Sequence, residues 1–282
     1  MNGTMHPDVS VVIGVRNGAA TLQRCLDSVA AQDFAARETI VVDGASTDGT
    51  RELLERNAAE GKVDQYLSEP DRGIYEAWNK AVRRSRGRWI SFLGCDDAFH
   101  DASSLRALVE AAAAAGGVAR VVYGRINRVA AGGVLVETIG LPWERAREAF
   151  AAGVNIPHPG TLHRREMLEE RGGFDESFRI AGDYNLLLGE LLAHPPLFVD
   201  RVVLDMGFGG MSSRPGNILV SLREVAKARR AHGLRGMPLP LRASLAAAWC
   251  GAGVYRLLGD RAYRRLADRY RALRGRPPIW TA

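Results

Sequence analysis

The chain has 282 residues, 46% of them hydrophobic and 25% charged, which is enough for one large soluble domain, or a domain with an appendage, and its core. Its formal net charge of +6 suits an anionic partner such as nucleic acid, a nucleotide or an acidic membrane surface, although much of the excess lies beyond residue 220. The three cysteines are far apart and odd in number, which argues against a disulfide framework or a zinc site and favours a reducing cytoplasm.

The N-terminal part of the chain alternates short apolar runs with helix-like segments. Its start, MNGTMHPDVS, lacks the basic residues and apolar stretch of a signal peptide, and no run in the sequence is long enough to span a membrane. Strands are predicted at 9–15 (VSVVIGV), at 38–43 (ETIVVD), near VDQYLS and at 88–94 (RWISFLG). Strands and helices that alternate with short connections predict an open, mostly parallel α/β sheet.

The pattern loosens after residue 118. ARVVYGRINRVAAGGVLVETIG predicts two strands joined by a glycine-containing hairpin loop, GDYNLLLGELLAH predicts a helix, and PPLFVDRVVLDMGF predicts a further strand region. From about residue 217 the sequence becomes helical and basic, with apolar side chains such as Trp249 and Tyr255 among many arginines. We therefore expect a helical extension after the α/β domain.

Acidic residues stand at the ends of two predicted strands. Asp43 ends ETIVVD, and Asp96 and Asp97 come shortly after RWISFLG. Ligands of open α/β sheets bind at the carboxyl ends of strands, and one or two carboxylates can hold Mg²⁺ or Mn²⁺ when substrate phosphates complete the coordination shell. The alternatives are structural: the pair could cap a helix beginning near Asp101, and Asp43 could accept N–H groups of the DGASTDGT turn, in which Asp48 is expected to be structural.

Four stretches, in this order, resemble successive landmarks of the family 2 glycosyltransferases of the GT-A fold: VSVVIGVRNGAATLQRCLDSV, IVVDGASTDGT, EPDRGIYEAWNKAV and GRWISFLGCDD. The resemblance covers about residues 9–215 and is closest to a bacterial branch that builds surface polysaccharides, whose members often read EPDxGIYxAxNK. It implies a nucleotide-binding, Rossmann-like, mostly parallel sheet flanked by helices in residues 1–215, and a basic helical extension in residues 216–282.

The resemblance also implies a site for a nucleotide-sugar donor. Asp43 would bind the nucleoside and Asp97 a Mn²⁺ or Mg²⁺ ion, while Asp96 would face the ribose or the donor sugar. The other donor-binding positions that the resemblance implies are Val15, Asn17, Asp71, Arg72 and Arg214. The last of these lies in GFGGMSSRP, which is interpreted either as a lid or as a plain surface loop.

A catalytic base is implied at Asp183. A sugar hydroxyl is a poor nucleophile, and a positioned carboxylate can remove its proton as it attacks. RGGFDESFRIAGDYNLLL matches a family landmark, with Gly182 where members often carry Glu, which leaves Asp183 as the one candidate. Its alternative role is the N-cap of the next helix. His158 and Tyr184 could contact the acceptor or the sugar, and a structural role is the other interpretation of the histidine.

The implied reaction is a single displacement that inverts the anomeric centre, with UDP-hexose or UDP-N-acetylhexosamine as the default donor and a lipid-linked glycan or an oligosaccharide as acceptor. No Q/R-x-x-R-W element follows Asp183, which favours a non-processive enzyme. The basic extension is interpreted either as helices that pack on the domain, or as an interfacial helix pair at the cytoplasmic face of the inner membrane. No nucleic-acid partner is expected.

Two other functions fit parts of the sequence. A sugar nucleotidyltransferase would share the sheet and the acidic site, but VIGVRNGAA is a poor version of its early glycine-rich phosphate loop. A basic module that binds nucleic acid or membrane without catalysis would have no use for acidic residues at strand ends. A dehydrogenase is excluded because no G-x-G-x-x-G follows the first strand.

Overall fold

The computed structural model describes residues 7–130, 133–207, 215–273 and 275. Within these residues nine strands form a single sheet, in the order β3-β2-β1-β4-β8-β6-β9-β5, with β7 paired to β6. The strands are β1 Val9–Val15, β2 Arg37–Asp43, β3 Gln65–Ser68, β4 Trp89–Gly94, β5 Ala98–Phe99, β6 Val121–Val129, β7 Leu135–Ile139, β8 Leu162–Arg164 and β9 Leu197–Gly207.

Helices cover both faces of this sheet. They are α1 Leu22–Ala30, α2 Thr50–Ala59, α3 Ile74–Val82, α4 Ser104–Ala114, α5 Trp143–Ala152, α6 Arg165–Glu170, α7 Gly182–Leu191, α8 Pro215–Ala231 and α9 Leu239–Leu273. All seven residues of β1 are buried, and its alternate side chains enter two different apolar clusters. Val12 packs in the cluster that contains α3 and α7, whereas Val11 and Ile13 pack in the one that contains α1 and α4. This arrangement explains why β1 is a continuous apolar run.

The first half of the sheet is parallel, and the predicted strands before the acidic pair are confirmed. β1 pairs in parallel with both β2 and β4, and β2 pairs in parallel with β3. In this register Val15 lies opposite Asp43, and Gly14 lies opposite Gly94. The carboxyl ends of four strands therefore meet at one edge, which is where open α/β sheets bind their ligands.

The second half of the sheet is mixed. β8 is antiparallel to both β4 and β6, and β9 is parallel to β6 but antiparallel to the two-residue β5. β6 and β7 form the predicted antiparallel hairpin, with Asn127 opposite Thr138. The hairpin places β7 at an edge of the sheet, where the side chains of Leu135 and Leu141 are exposed.

The C-terminal helices begin in the core of the α/β domain and leave it. Val225 and Ala228 of α8 and Leu241 of α9 belong to the same buried cluster as α3 and α7. At Gly259 the backbone of α9 is not helical, and the rings of Tyr255 and Tyr263 on either side of this break are 5.9 Å apart. The predicted helical extension is thus present. Among the residues described, no helix is both long and apolar enough to cross a bilayer.

Helix α8 also supports the segment that precedes α7. The Glu224 carboxylate accepts the backbone N–H groups of Arg179, Ile180 and Ala181 at 2.8, 2.8 and 2.9 Å. One turn further along, Lys227 Nζ donates to Ser177 Oγ at 2.7 Å. A single carboxylate from the extension therefore accepts three successive donors at the start of α7, where negative charge also interacts favourably with the helix dipole.

We expect Glu224→Ala to lower the free energy of unfolding by about 2 kcal/mol or more, because a hydrogen bond to a charged acceptor contributes about 1.5–3 kcal/mol and three are lost. Urea unfolding measures the change. The control is Glu110→Ala, which truncates an exposed glutamate of α4. Equal effects of the two substitutions would show that the Glu224 contacts add nothing to stability.

Candidate active site

Asp43 is fully buried at the carboxyl end of β2, and hydroxyl and amide groups surround its carboxylate. It accepts the N–H of Ser46 at 3.1 Å and the Ser68 hydroxyl at 2.7 Å, together with a short bond from the Ser46 hydroxyl. These are the contacts that the structural interpretation of Asp43 requires. They also fix the loop after β2 at the carboxyl edge of the parallel strands, so the two serines are residues of the candidate site that the sequence analysis missed.

Asn17 ties the end of β1 to the same loop. Its Oδ1 accepts the N–H of Thr47 at 2.9 Å, and its own N–H donates to Ser46 Oγ at 2.6 Å. Asn17 has φ 53°, a left-handed conformation that asparagine tolerates better than most residues. Val15 is buried, and its carbonyl accepts the N–H of Gly44 at 2.9 Å. The structure therefore brings Val15 and Asn17 together with Asp43.

Asp71 joins this edge from the loop after β3. Its Oδ1 accepts the N–H of Gly73 at 2.9 Å, and partial burial raises the pKa of its carboxyl group. Its Oδ2 would lie 2.5 Å from a Cβ atom at position 44, so the close approach requires Gly44. The exposed Arg72 instead directs its guanidinium to Glu76, with Nε and Oε2 2.7 Å apart, and to Glu176.

The acidic pair lies at the end of β4 in two different environments. Asp97 is buried, and its Oδ2 accepts the N–H of Gly94 at 2.8 Å. Burial, followed by the neighbouring charge of Asp96, raises the pKa of Asp97. Asp96 is partly exposed, and its carbonyl oxygen accepts a hydrogen bond from Arg24. The alternative that the pair caps the next helix is wrong, because α4 begins at Ser104 and the bonds there are made by the Asp101 carboxylate.

The pair has the chemistry that a hard divalent cation requires. Carboxylate oxygens are the ligands of Mg²⁺ and Mn²⁺, and a cation would offset both the mutual repulsion and the desolvation that Asp97 experiences. In the described ranges no group of three or more His, Cys, Asp or Glu side chains could enclose a metal. Two carboxylates without such a cage fit a cation whose shell is completed by a diphosphate.

Asp183 lies in the first turn of α7, where its carboxylate contacts two other segments. The Tyr75 hydroxyl lies 3.2 Å from Oδ1 and 2.5 Å from the carbonyl oxygen of Ile180, so its one proton is shared between these acceptors. Asn155 donates Nδ2 to Oδ2 at 2.9 Å. Burial raises the pKa of Asp183 to about 6. Asp183 is not the N-cap, because α7 begins at Gly182 and Ala181 precedes it. A positioned carboxylate with a pKa near neutrality is the form that general-base catalysis uses.

The glycine that replaces the family's Glu has a steric cause. A Cβ atom at Gly182 would lie 2.7–2.9 Å from the ring of Tyr75, closer than real Cβ contacts. The ring of Tyr75 therefore leaves no room for a second acidic side chain beside Asp183. Tyr75 lies in the EPDRGIYEAWNKAV stretch, but the sequence did not indicate that it contacts Asp183. For Asn155, the first residue of NIPHPG, no pattern in the sequence predicted a role in the site.

The two predicted sugar or acceptor contacts lie in the core. His158 is 4% exposed, its ring packs 5.2 Å from that of Trp78, and burial lowers its pKa to about 3, so it is neutral. Tyr184 is also buried and donates its hydroxyl to the carbonyl of Phe150 at 2.8 Å. Their contact with a substrate stays a prediction, and these surroundings favour structural roles. Arg214 lies outside the described residues.

Comparisons with known proteins agree with this geometry. Residues 10–170 match the model of "Glycosyl transferase family 2". A "PGL/p-HBAD biosynthesis glycosyltransferase" from Mycobacterium bovis (strain BCG / Pasteur 1173P2) is 29% identical over 216 residues, which cover 73% of this chain and 80% of the relative.

Two solved structures share the fold. The mannosyltransferase PcManGT from Pyrobaculum calidifontis, in complex with GDP-Man and Mn²⁺, superposes with a TM-score of 0.66 at 20% identity, covering 94% of this chain and 79% of that one. S. aureus TarS 1-349 in complex with UDP-GlcNAc gives 0.62 at 20% identity, and the match spans 78% of this chain but only 66% of the TarS chain. The sheet, its helices and these similarities define a GT-A fold, and the chain belongs to glycosyl transferase family 2.

Proposed function

We propose that this family 2 glycosyltransferase is an inverting, metal-dependent, non-processive enzyme that transfers a sugar from a nucleotide-sugar to a hydroxyl of a glycan acceptor in cell-surface polysaccharide synthesis. The observation that carries the proposal is the approach of the Tyr75 hydroxyl to the start of α7, where it lies 2.5 Å from the Ile180 carbonyl oxygen and 3.2 Å from Asp183 Oδ1. Tyr75 belongs to the first turn of α3, directly after the EPDRG loop that contributes Asp71 to the nucleotide edge. A candidate base is thereby fixed next to the donor side of the sheet.

The donor that we propose is UDP-hexose or UDP-N-acetylhexosamine. Asp43 and Asp71, with the backbone of Val15 and Asn17, would surround the nucleoside at the carboxyl ends of the strands. TarS, which shares the fold, was solved with UDP-GlcNAc, and PcManGT was solved with GDP-Man. Both structures hold a nucleotide-sugar, which supports a nucleotide-sugar donor here.

Asp97 and Asp96 are the residues that would hold Mn²⁺ or Mg²⁺ together with the donor diphosphate. When bound, the cation would offset the negative charge of the departing nucleoside diphosphate. Asp97 is the proposed ligand, and the more exposed Asp96 would orient the ribose or the donor sugar. The hydrogen bond from Gly94 holds the Asp97 carboxylate in place before any ligand arrives. The Mn²⁺ in the PcManGT structure supports the metal dependence.

Asp183 would accept the proton of the acceptor hydroxyl. Because burial raises its pKa to about 6, the carboxylate is ionised at neutral pH and still basic enough to take a proton. Tyr75 and Asn155 would keep its two oxygens in a fixed orientation. The acceptor oxygen would then attack C1 of the sugar from the face opposite the diphosphate, and a single displacement inverts the configuration.

We also propose that the protein binds peripherally to the cytoplasmic face of the inner membrane and glycosylates a lipid-linked or oligosaccharide acceptor there. The support is the outer surface of α9, where Trp249, Leu257 and Leu258 are 57%, 86% and 69% exposed. Arg256 and Arg261 flank Leu257 and Leu258 along the chain. Exposed apolar residues flanked by arginine are typical of a helix that lies in the interface of an anionic bilayer.

Donor and metal binding is tested by thermal shift with nucleoside diphosphates and sugar nucleotides in Mn²⁺, Mg²⁺ or EDTA. A ligand of the native state raises its stability by mass action. We expect a UDP-dependent rise in Tm that requires the metal, shrinks in Asp97→Ala, and persists in the control Asp33→Ala, which truncates an exposed acid before the amino end of β2. No shift with any nucleotide would remove the donor site and favour a binding module.

The pH dependence of kcat/KM tests the base. Because Asp183 must be ionised, the rate constant is expected to be level above pH 6 and to fall tenfold per pH unit below it. Asp183→Asn is expected to lower kcat by about 10²–10⁴ with the donor-induced Tm shift unchanged. Tyr75→Phe removes a donor to the carboxylate and should move the acidic limb to higher pH. If the acidic limb of the pH profile stays at the same pH in both variants, the ionisation that controls kcat/KM belongs to another group.

Membrane association is tested by point substitutions, because removal of residues 217–282 would also delete the Glu224 contacts to the segment before α7. We expect the double variant Leu257→Ser, Leu258→Ser to lose at least about fivefold of its binding to vesicles that contain anionic lipid, measured by co-sedimentation. Val118→Ser, an equally exposed site (85%) outside the extension, is the control. Wild-type-like binding of the double variant would show that α9 is not the contact.

A further inference from the structure

A cavity of about 490 Å³ opens between the β6–β7 hairpin, α5 and the segment of residues 154–157. Asn155 lines this cavity and also donates Nδ2 to the Asp183 carboxylate at 2.9 Å. A single amide therefore separates the cavity from the proposed base. The cavity is distinct from the nucleotide edge of the sheet, whose residues do not contribute to its lining.

The backbone at Gly140 shapes this cavity. Gly140 has φ 116°, and a Cβ atom there would meet Cα of Arg125 at 2.9 Å and the Pro157 ring at 3.4 Å. The end of β7 can therefore cross closely over β6 and approach residue 157 only with glycine at this position. That crossing carries the next residue, Leu141, to the rim of the cavity.

The polar wall of the cavity suits a neutral, hydroxyl-bearing ligand. Arg128 pairs with Glu137 at 2.8 Å, and Arg125 pairs with Asp200, so each guanidinium in the wall has a carboxylate partner. The Oδ1 atom of Asn155 is buried and has no hydrogen-bond partner among the residues described. A second hydroxyl of a sugar that entered beside Asp183 would supply the missing donor, since a buried acceptor without a hydrogen bond is costly.

The rim of the same cavity is apolar and exposed. Leu141 is 49% exposed and Val154 63%, and both line the cavity. Large apolar side chains exposed around the mouth of a polar cavity are a feature of binding sites for amphipathic ligands.

We propose that this cavity is the acceptor site, and that the acceptor is a neutral glycoside with an apolar aglycone. The reacting sugar hydroxyl approaches Asp183 beside the side chain of Asn155, and the aglycone leaves the cavity across Leu141 and Val154. The inference rests on the proposed function, because it needs Asp183 as the group that faces the reacting hydroxyl. It adds a substrate class and a second set of residues to that function.

The test compares octyl and methyl glycosides of the same sugars, glucose, galactose and N-acetylglucosamine, below the micelle concentration of the octyl compounds. Binding to the full chain is followed by saturation-transfer NMR, so that no knowledge of the donor is needed. Because each buried methylene adds to affinity, we expect at least one octyl glycoside to bind about tenfold or more tightly than its methyl partner, with saturation of the alkyl protons. Equal affinities in all three pairs would overturn the proposal.

The site is located by substitution. We call the ratio of octyl to methyl glycoside affinity the octyl advantage. We expect the double variant Leu141→Ser, Val154→Ser to abolish it. The matched double variant Leu192→Ser, Val118→Ser, whose side chains are 46% and 85% exposed and lie outside the cavity, should retain it. Thr138→Trp narrows the cavity and should weaken the binding of both the octyl and the methyl glycoside, which tests the location of the site independently. An unchanged octyl advantage in the first pair would overturn the site. A change of oligomeric state in that pair, measured by light scattering, would assign the surface to self-association instead.

Failure of this proposal can be told apart from failure of the proposed function. If nucleotides raise Tm with metal but the octyl advantage does not depend on residues 141 and 154, the acceptor site is wrong and the donor site stands. If the octyl advantage depends on these residues but Asp183→Asn retains full kcat, the cavity stands as a glycoside site and Asp183 is not the base.

Discussion

A carboxylate taken out of water needs hydrogen-bond donors or a cation, and this requirement organises the centre of the molecule. Asp43 is met by two serine hydroxyls and an amide, Asp97 by a backbone amide of its own turn, and Asp183 by a tyrosine and an asparagine. The donors come from different elements: the loop after β2 and the end of β3 for Asp43, the end of β4 for Asp97, and helix α3 and the segment after α5 for Asp183. These elements are therefore linked through the acids that they surround.

The differences among the three carboxylates follow from their donors. Asp43 has several donors around it, and these hydrogen bonds fix the loop after β2. Burial, followed by the charge of Asp96 beside it, raises the pKa of Asp97, and a cation would relieve both effects. Asp183 has donors on both oxygens and still has a pKa of about 6, because burial outweighs them. The three positions thus divide into an acid with several hydrogen-bond donors, an acid that a cation would stabilise and an acid with a raised affinity for a proton.

Much of this arrangement was predictable from local patterns. Apolar runs located β1, β2 and β4, and their parallel register brought the acids after them to one edge. The contacts of Asp183 were not predictable in this way, because Tyr75 lies 108 residues and Asn155 28 residues away along the chain. His158 shows the same limit: a histidine in a conserved-looking stretch carries no signal of whether its ring packs in the core or faces a ligand. Periodicity predicts elements, whereas tertiary packing decides which side chains meet.

The sequence also suggested a division near residue 215 that packing does not follow. The composition changes there, but α8 buries Val225 and Ala228 in the main cluster and Glu224 accepts three amides before α7. Helix α8 is therefore continuous with the α/β domain in its contacts, and the change to an exposed, arginine-rich surface comes later, in α9. The change in charge near residue 215 therefore describes the surface of the protein, whereas the buried core includes side chains of α8.

The contact between Gly182 and Tyr75 sets the number of acids at the start of α7. Two adjacent carboxylates would share their protons, and their apparent pKa values would belong to the pair. With the aromatic ring in the space of a second side chain, Asp183 titrates without an acidic neighbour in the helix. The Tyr75 ring of helix α3 thus leaves Asp183 as the one carboxyl group at the start of α7, so that this group ionises in a single step.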